Sequence, residues 1–530
     1  MVNNQLNRAS KVSFYESSYF WQTLLLFFIA LLIWLIFYPG LFSNDSANQY
    51  GQAINEKFTN WHPPLMAIVL SFVLKLGGNV GLLILLQCAA AILGVRSLTR
   101  QFLISFFPQS NRKIIIITTL VPLFLLIPVT PFLFYTVTFW KDVWTEILFL
   151  WIIAYLLWLN NNSEKYKFRG LGIHLLFIAC LSSLLPLIRH NAIIVLPIIG
   201  FSLLLIVLKN INPSLSGIKK ITAFSLLFIP LCISLLVQFG ITRIFNIKDL
   251  HTEDGVKEHE LFLLLKSNPE LSGEFPITAH HIDSPMVFFG NDDGSHFALW
   301  NDSTGGAECP KAKSFIDATS YSWENLEPLT ATSPPPCFRL ATESNEALGK
   351  EYWTALKNYP AQLLKIKLHQ FTIPLNPQLS LDYVITKDIT DYAPLNTNQN
   401  FKRLRSALYE FFENIKSSGY LLYGLNIHAL WLVINIGFTF KILFDFVNKK
   451  NKSDALFRLS ILLIPFSYYL SYFLVTVATD YRFMYPSTLI IQILVISLLQ
   501  SKILSFLKNR RLSEIFAANV LFTNQTFERE

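Results

Sequence analysis

Apolar residues occur in blocks along this chain, and polar residues fall almost wholly between them. The blocks at 20–38, 80–95, 114–129, 143–159, 171–188, 192–208, 221–240, 421–446, 457–477 and 486–507 are rich in Leu, Ile, Val and Phe. A helix of roughly 17–25 such residues crosses a hydrocarbon core. The pattern predicts an α-helical polytopic membrane protein with about ten transmembrane helices. The run 63–76 is shorter and ends at Gly77 and Gly78. It reads as a helix on the outer surface, with Pro63 and Pro64 suited to its first turn.

The polar segment 241–420 is too long for a structureless loop and reads as a folded domain. Stretches 261–266 and 346–370 look helical, the second broken by Pro360. Stretches 285–290 and 296–300 look like strands, and 333–336 is a turn-rich break. Residues 401–417 place Phe401, Leu404, Leu408, Phe411 and Ile415 on one helical face, with Lys402, Arg403 and Arg405 opposite. That is an amphipathic helix for the membrane surface. Three parts follow: an N-terminal transmembrane module 1–240 with an outer loop 39–78, a mixed α/β extracytoplasmic domain 241–420, and C-terminal transmembrane helices with a tail, 421–530.

Charge orients this arrangement. The net charge is +8, but 241–420 holds 16 basic against 23 acidic residues and the remainder 27 against 12. Lys and Arg collect on the cytoplasmic side of membrane proteins. The acidic segment is therefore expected outside, with Arg8 and Lys11 inside before the first span. Lys165, Lys167, Arg169, Lys209, Lys219, Lys220, Lys449, Lys450, Lys452, Lys508, Arg510 and Arg511 then all fall inside. The first span lacks a small-residue cleavage site and reads as a retained helix. No compact basic domain is present, which argues against a nucleic-acid partner. With no ER-retention motif, the expected location is a bacterial inner membrane, the site facing the periplasm or cell exterior.

Of the five cysteines, Cys88, Cys180 and Cys232 lie in apolar blocks and suit packing. Cys309 and Cys337 lie in the outer segment, where an oxidising compartment makes them candidates for a disulfide.

The outward turns collect polar residues of another kind. They carry Asp45 and His62, then Lys141 and Asp142, then Arg189, His190 and Asn191, and last Asp480, Tyr481 and Arg482. Asp45 suits a general base, a metal ligand, or an N-cap for a helix starting near Ala47. His62 suits a site or an interfacial cap. Glu146 lies one turn deeper than Asp142 on the same helix face. Arg189 reads as a headgroup anchor or a site cation, and Arg482 as the partner of Asp480 or a bidentate phosphate ligand.

An acid just after the first span, followed by His62-Pro63-Pro64-Leu65 at the start of a surface helix, resembles protein O-mannosyltransferases and their bacterial relatives. Lipid A aminoarabinose transferases are similar, with Pro-Pro-Leu at the matching place. Lys141-Asp142 and Asp480-Tyr481-Arg482 resemble other membrane glycosyltransferases of the same GT-C superfamily. The resemblance spans the membrane part in order but not 241–420. It departs from the O-mannosyltransferase pattern at Ser46, where that group has a second acid, and at Met66-Ala67, where it has Gly-Lys. The resemblance implies a sugar donor on polyprenyl phosphate and Asp45 as the catalytic carboxylate.

The expected function is transfer of that sugar to a hydroxyl of a glycan, lipid or protein acceptor at the outer membrane face. Asp45, His62 and Asp142 are the candidate catalytic residues. Lys141, Arg189, His190, Tyr481 and Arg482 are candidates for the donor phosphate, with Glu146 and Asp480 supporting. A divalent metal is the one cofactor considered, with Asp45 as its candidate ligand. The alternative is a transporter or flippase for a lipid-linked sugar. The lack of internal repeats and the one-sided placing of the polar groups favour the enzyme.

Overall fold

The computed structural model describes residues 2–60, 62–107, 111–210, 224–249, 252–283, 346–376, 398–417, 421–448, 452–475 and 481–527. The N-terminal part contains α1 (Val2–Phe37), α2 (Asn44–Asn55), α3 (Leu65–Lys75), α4 (Val80–Ser105), α5 (Asn111–Leu125), α6 (Phe132–Thr136), α7 (Lys141–Asn162), α8 (Phe168–Ser183), α9 (Leu185–Ile188) and α10 (Leu196–Asn210). Then come α11 (Ile229–Ile244), α12 (Thr252–Ser267), α13 (Pro276–Asp283), α14 (Glu346–Asn358), α15 (Pro360–Thr372) and α16 (Lys402–Ser417). The chain closes with α17 (His428–Asn448), α18 (Lys452–Val475) and α19 (Tyr485–Phe527).

Among the described residues, eight helical stretches are long and apolar enough to cross a membrane. This is an α-helical polytopic membrane protein. Two of the ten expected crossings correspond to shorter apolar helices, Lys113–Leu125 and Ile229–Ile244. Proline sets both limits: α5 stops ahead of Pro128, and α11 starts with Pro230 in its first turn.

Helices α4 and α7 form the centre of the bundle. They meet at Gly94, where an added Cβ would sit 3.1 Å from the Leu150 Cβ. A bare glycine lets two backbones approach that closely. Nearby, buried Gln87 donates to the carbonyls of Thr136 and Thr138, both at 2.8 Å, and accepts from Trp144 Nε1 at 2.8 Å. In a hydrocarbon setting every such group needs a partner, so this amide fixes the 132–140 segment against α4. Trp34 of α1 donates to the Gly81 carbonyl near the start of α4, while Arg96 donates to the Tyr19 carbonyl. The two helices are thus antiparallel. Arg96 and Arg100 lie at the end of the bundle remote from the turn after α1.

Segment 241–420 is helical throughout its described residues, and the mixed α/β expectation gives way there to a helical one. Its helices pack on a separate core of Leu261, Phe262, Leu264, Phe275, Leu348, Ala355 and Leu363. Pro360 divides α14 from α15, as the sequence predicts. The Glu351 carboxylate accepts from the amides of Ile277 and Thr278 at 2.7 and 3.0 Å, satisfying the open N-terminus of α13. The stretches expected as strands, the 333–336 break, Cys309 and Cys337 lie outside the described residues.

Helix α16 bears the expected amphipathic pattern, with Leu404 and Phe411 exposed, but Arg405 turns inward. It donates to the Ile36 carbonyl at 2.9 Å and so covers the C-terminal end of α1. A guanidinium at a helix C-terminus meets both the unpaired carbonyls and the dipole.

Candidate functional site

Two outward turns are stitched together before any ionisable group is placed. Leu41 N donates to the Val137 carbonyl at 2.8 Å, and Phe139 N returns a bond to the Leu41 carbonyl at 3.0 Å. Ser46 Oγ donates to the Phe139 carbonyl at 2.7 Å, and Trp140 Nε1 donates to Ser43 Oγ at 2.6 Å. Ser43 is the N-cap of α2, paired with Ser46 in a capping box. Asp45 therefore does not cap this helix. It sits in the first turn, where the dipole favours an anion, and faces the start of α7.

Four separate pieces of chain converge on Asp45. Arg482 Nη2 donates to its Oδ2 at 2.8 Å, Lys141 Nζ lies 3.8 Å from Oδ2, and His62 Nε2 lies 3.4 Å from Oδ1. Lys141 Nζ is also within hydrogen-bonding distance of His62 Nδ1. The Arg482 guanidinium lies 4.5 Å from the centre of the Trp140 ring and its Nε lies 3.8 Å from Asp142 Oδ2. Asp142 Oδ1 takes Arg189 through Nε at 2.7 Å and Nη2 at 2.5 Å. The Arg189 guanidinium lies 4.1 Å from the centre of the Phe483 ring. Arg189 reaches the cluster because the helix breaks at it, with extended backbone between α9 and the next 3-10 turn.

No family model, curated protein or solved structure matches this chain.

The chemistry of the cluster is therefore read from its own geometry. Asp45, 21% exposed, is its most open member; the side chains of the other five are 3–11% exposed. Burial opposes ionisation of Asp45, but Arg482, His62 and Lys141 outweigh it and hold the carboxyl well below its ordinary range. Burial, joined by the Lys141 ammonium, pushes His62 down to about 4. At neutral pH that imidazole is uncharged, with one nitrogen accepting and one donating. The network assigns acceptance from Lys141 to Nδ1, leaving the Nε2 hydrogen toward Asp45. Burial also opposes the charge on Arg189, and Asp142 more than offsets it.

Not every candidate joins this cluster. His190 is exposed, its Nε2 3.3 Å from the Asn60 carbonyl, and lines an adjoining cleft. Tyr481 is fully buried, stacked on the His428 ring with centroids 4.0 Å apart. Glu146 is buried on α7 with one carboxylate oxygen lacking a hydrogen-bond partner. Asp480 lies outside the described residues. A divalent metal does not fit the donor set. Among the described residues no three His, Cys, Asp or Glu side chains are grouped to hold an ion, and the Asp45 oxygens face Arg482, Lys141 and His62 instead.

One residue escaped the sequence reading. Fully buried His428 opens α17 and donates from Nε2 to the Tyr481 carbonyl at 2.8 Å, while its Nδ1 meets Thr488 Oγ1. Tyr469 completes the chain through the same hydroxyl. This network holds the turn that presents Arg482. A lone histidine at the mouth of an apolar block carries no motif, so only its spacing from that block could have drawn notice.

Proposed function

We propose that this chain is a GT-C glycosyltransferase that moves a sugar from polyprenyl phosphate to an acceptor hydroxyl at the outer face of a bacterial inner membrane. The observation that carries the reading is Asp45, a partly open carboxylate met by Arg482, Lys141 and His62 from distant parts of the chain. The six residues hold three cations against two carboxylates, with His62 neutral. A net positive charge in so buried a place favours an anion such as the donor phosphate.

An Asp45 held by Arg482 is a weak base. An arriving phosphate competes for Arg482 and Lys141, which loosens their hold and restores basicity to Asp45. Asp45 then takes the acceptor hydroxyl's proton as that oxygen bonds to the anomeric carbon. The anomeric carbon–oxygen bond to phosphate breaks, its electron pair leaving with the phosphate. Arg482, Lys141 and Arg189 stabilise that developing charge. Attack opposite the leaving phosphate inverts the anomeric centre.

The test is transfer of labelled sugar from polyprenyl phosphate in membranes carrying wild type or Asp45→Asn. Loss of transfer at equal protein level is expected. Near-normal transfer would remove Asp45 from the chemistry. Passage of the lipid-linked sugar across vesicles with the sugar bond intact would replace the enzyme with a flippase.

A further inference from the structure

Beside the Asp45 cluster, a cleft of about 150 Å³ lies between the 58–64 loop, α9 with His190, and the end of α11. Pro63 and Pro64 form part of its apolar lining, and Asn60, His190, Gln238, Thr242 and Asp249 supply its polar groups. Backbone pairing builds one side of it. Thr59 and Lys248 form a parallel bridge, with Lys248 N donating to the Phe58 carbonyl at 2.9 Å and Asn60 N to the Lys248 carbonyl at 3.1 Å. Asn60 Nδ2 donates to Asp249 Oδ1 at 2.6 Å, and Phe58 meets Phe245 edge to face at 5.8 Å. The walls therefore come from three chain segments joined by specific contacts.

The lining narrows the class of ligand. It contains a carboxylate and neither Lys nor Arg, which opposes an anion. Five polar residues oppose an acyl chain, whose burial would strip them of water. A cavity of this volume, on the order of 150 Å³, accepts a single six-membered ring. Amide, imidazole, hydroxyl and carboxylate groups around a proline floor match a ring with hydroxyls at its rim and C–H bonds on its face. Pro63 follows His62 and His190 follows Arg189, so the cleft adjoins the cluster through two of its members.

We infer that this cleft seats a neutral pyranose ring, a substrate subsite beside Asp45. The inference rests on the glycosyl-transfer reading for its role, though not for binding itself. The ring belongs either to the acceptor or to the donor.

The experiment is saturation-transfer NMR on the purified full chain in nanodiscs, with methyl α-glucopyranoside, methyl α-mannopyranoside and methyl β-galactopyranoside as probes. At least one should bind wild type, with Kd raised about tenfold or more in Thr242→Trp and in Gln238→Ala; a tenfold change is about 1.4 kcal/mol. Both positions are exposed, and the alanine variant serves if the tryptophan disturbs the fold. Polyprenyl-phosphate glucose that displaces the bound glycoside assigns the ring to the donor, while simultaneous binding assigns it to the acceptor. Unchanged Kd in both variants, or no saturation of any glycoside, overturns the subsite. Asp45→Asn separates the two ideas. If it transfers sugar normally the enzyme reading falls while glycoside binding still stands or fails alone.

Discussion

Arg482 and Asp45, 437 positions apart in the chain, share a hydrogen bond of 2.8 Å. The bond joins the last membrane helix to the turn after the first, and it sets the resting state of the site. The same guanidinium lies 3.8 Å from Asp142, so one cation serves both carboxylates.

That sharing makes Arg482→Lys informative. A lysine keeps the charge but cannot span two carboxylates or grip a phosphate in a fork. Transfer should fall on the order of 10²-fold, within the range for losing one preorganised charge-stabilising donor. The loss should appear as weaker donor binding. Asp45→Asn should instead lower the turnover rate and spare donor affinity. Its helix should stay intact, since Ser43 rather than Asp45 provides the cap. Steady-state kinetics with labelled donor checks both, and equal effects of the two changes on donor affinity would count against their separate roles.

Acid should unfold the protein through His62 first. Its pKa falls from an ordinary 6.5 to about 4 in the folded chain, so the unfolded state binds a proton that the folded state refuses. Stability is then full above about pH 6.5 and declines as pH falls toward about 4. Asp45 acts in the same direction at lower pH, its stabilising charge being lost below the ordinary carboxylate range. Thermal unfolding in detergent between pH 8 and pH 4 measures this. His62→Asn should flatten the upper part of the decline, and an unchanged profile would show that His62 does not control it.

His428 should act through Arg482. Replacing it by Ala leaves the buried Tyr481 carbonyl without its donor, a cost of about 1–3 kcal/mol. The loosened turn should raise the KM for the lipid donor about tenfold, and His428→Asn, whose amide can donate, should restore part of it. If KM stays at the wild-type value while only protein abundance drops, His428 is a packing residue.

Topology is open to direct labelling. A cysteine at Lys350, on the exposed face of α14, should react with an impermeant maleimide in intact cells. One at Lys165 should react only after permeabilisation. The reverse result would invert the proposed orientation and place the Asp45 cluster in the cytoplasm.

Much of the fold was legible because a membrane helix is a local object. Its length and apolarity are written in consecutive residues, so α4, α7, α17 and α18 could be placed within a few positions of their ends. Pro360 as a helix break is local in the same way. The polar mouths of the spans were legible too, since a charged group beside the hydrocarbon stands out against its surroundings.

What sequence alone determined was therefore the set of spans, the charge asymmetry across them and the short roll of ionisable residues at their outer ends. Tertiary structure decided which of these meet. Arg482 pairs with Asp45 and Arg189 with Asp142, while His190 faces a different cleft and Tyr481 is spent on His428. It also decided that Ser43 caps α2 and that Arg405 turns inward to the end of α1. These outcomes depend on how helices rotate and which loops pair across hundreds of residues. Side-chain packing and satisfaction of buried polar groups fix those choices, and neither is written in a local run of sequence.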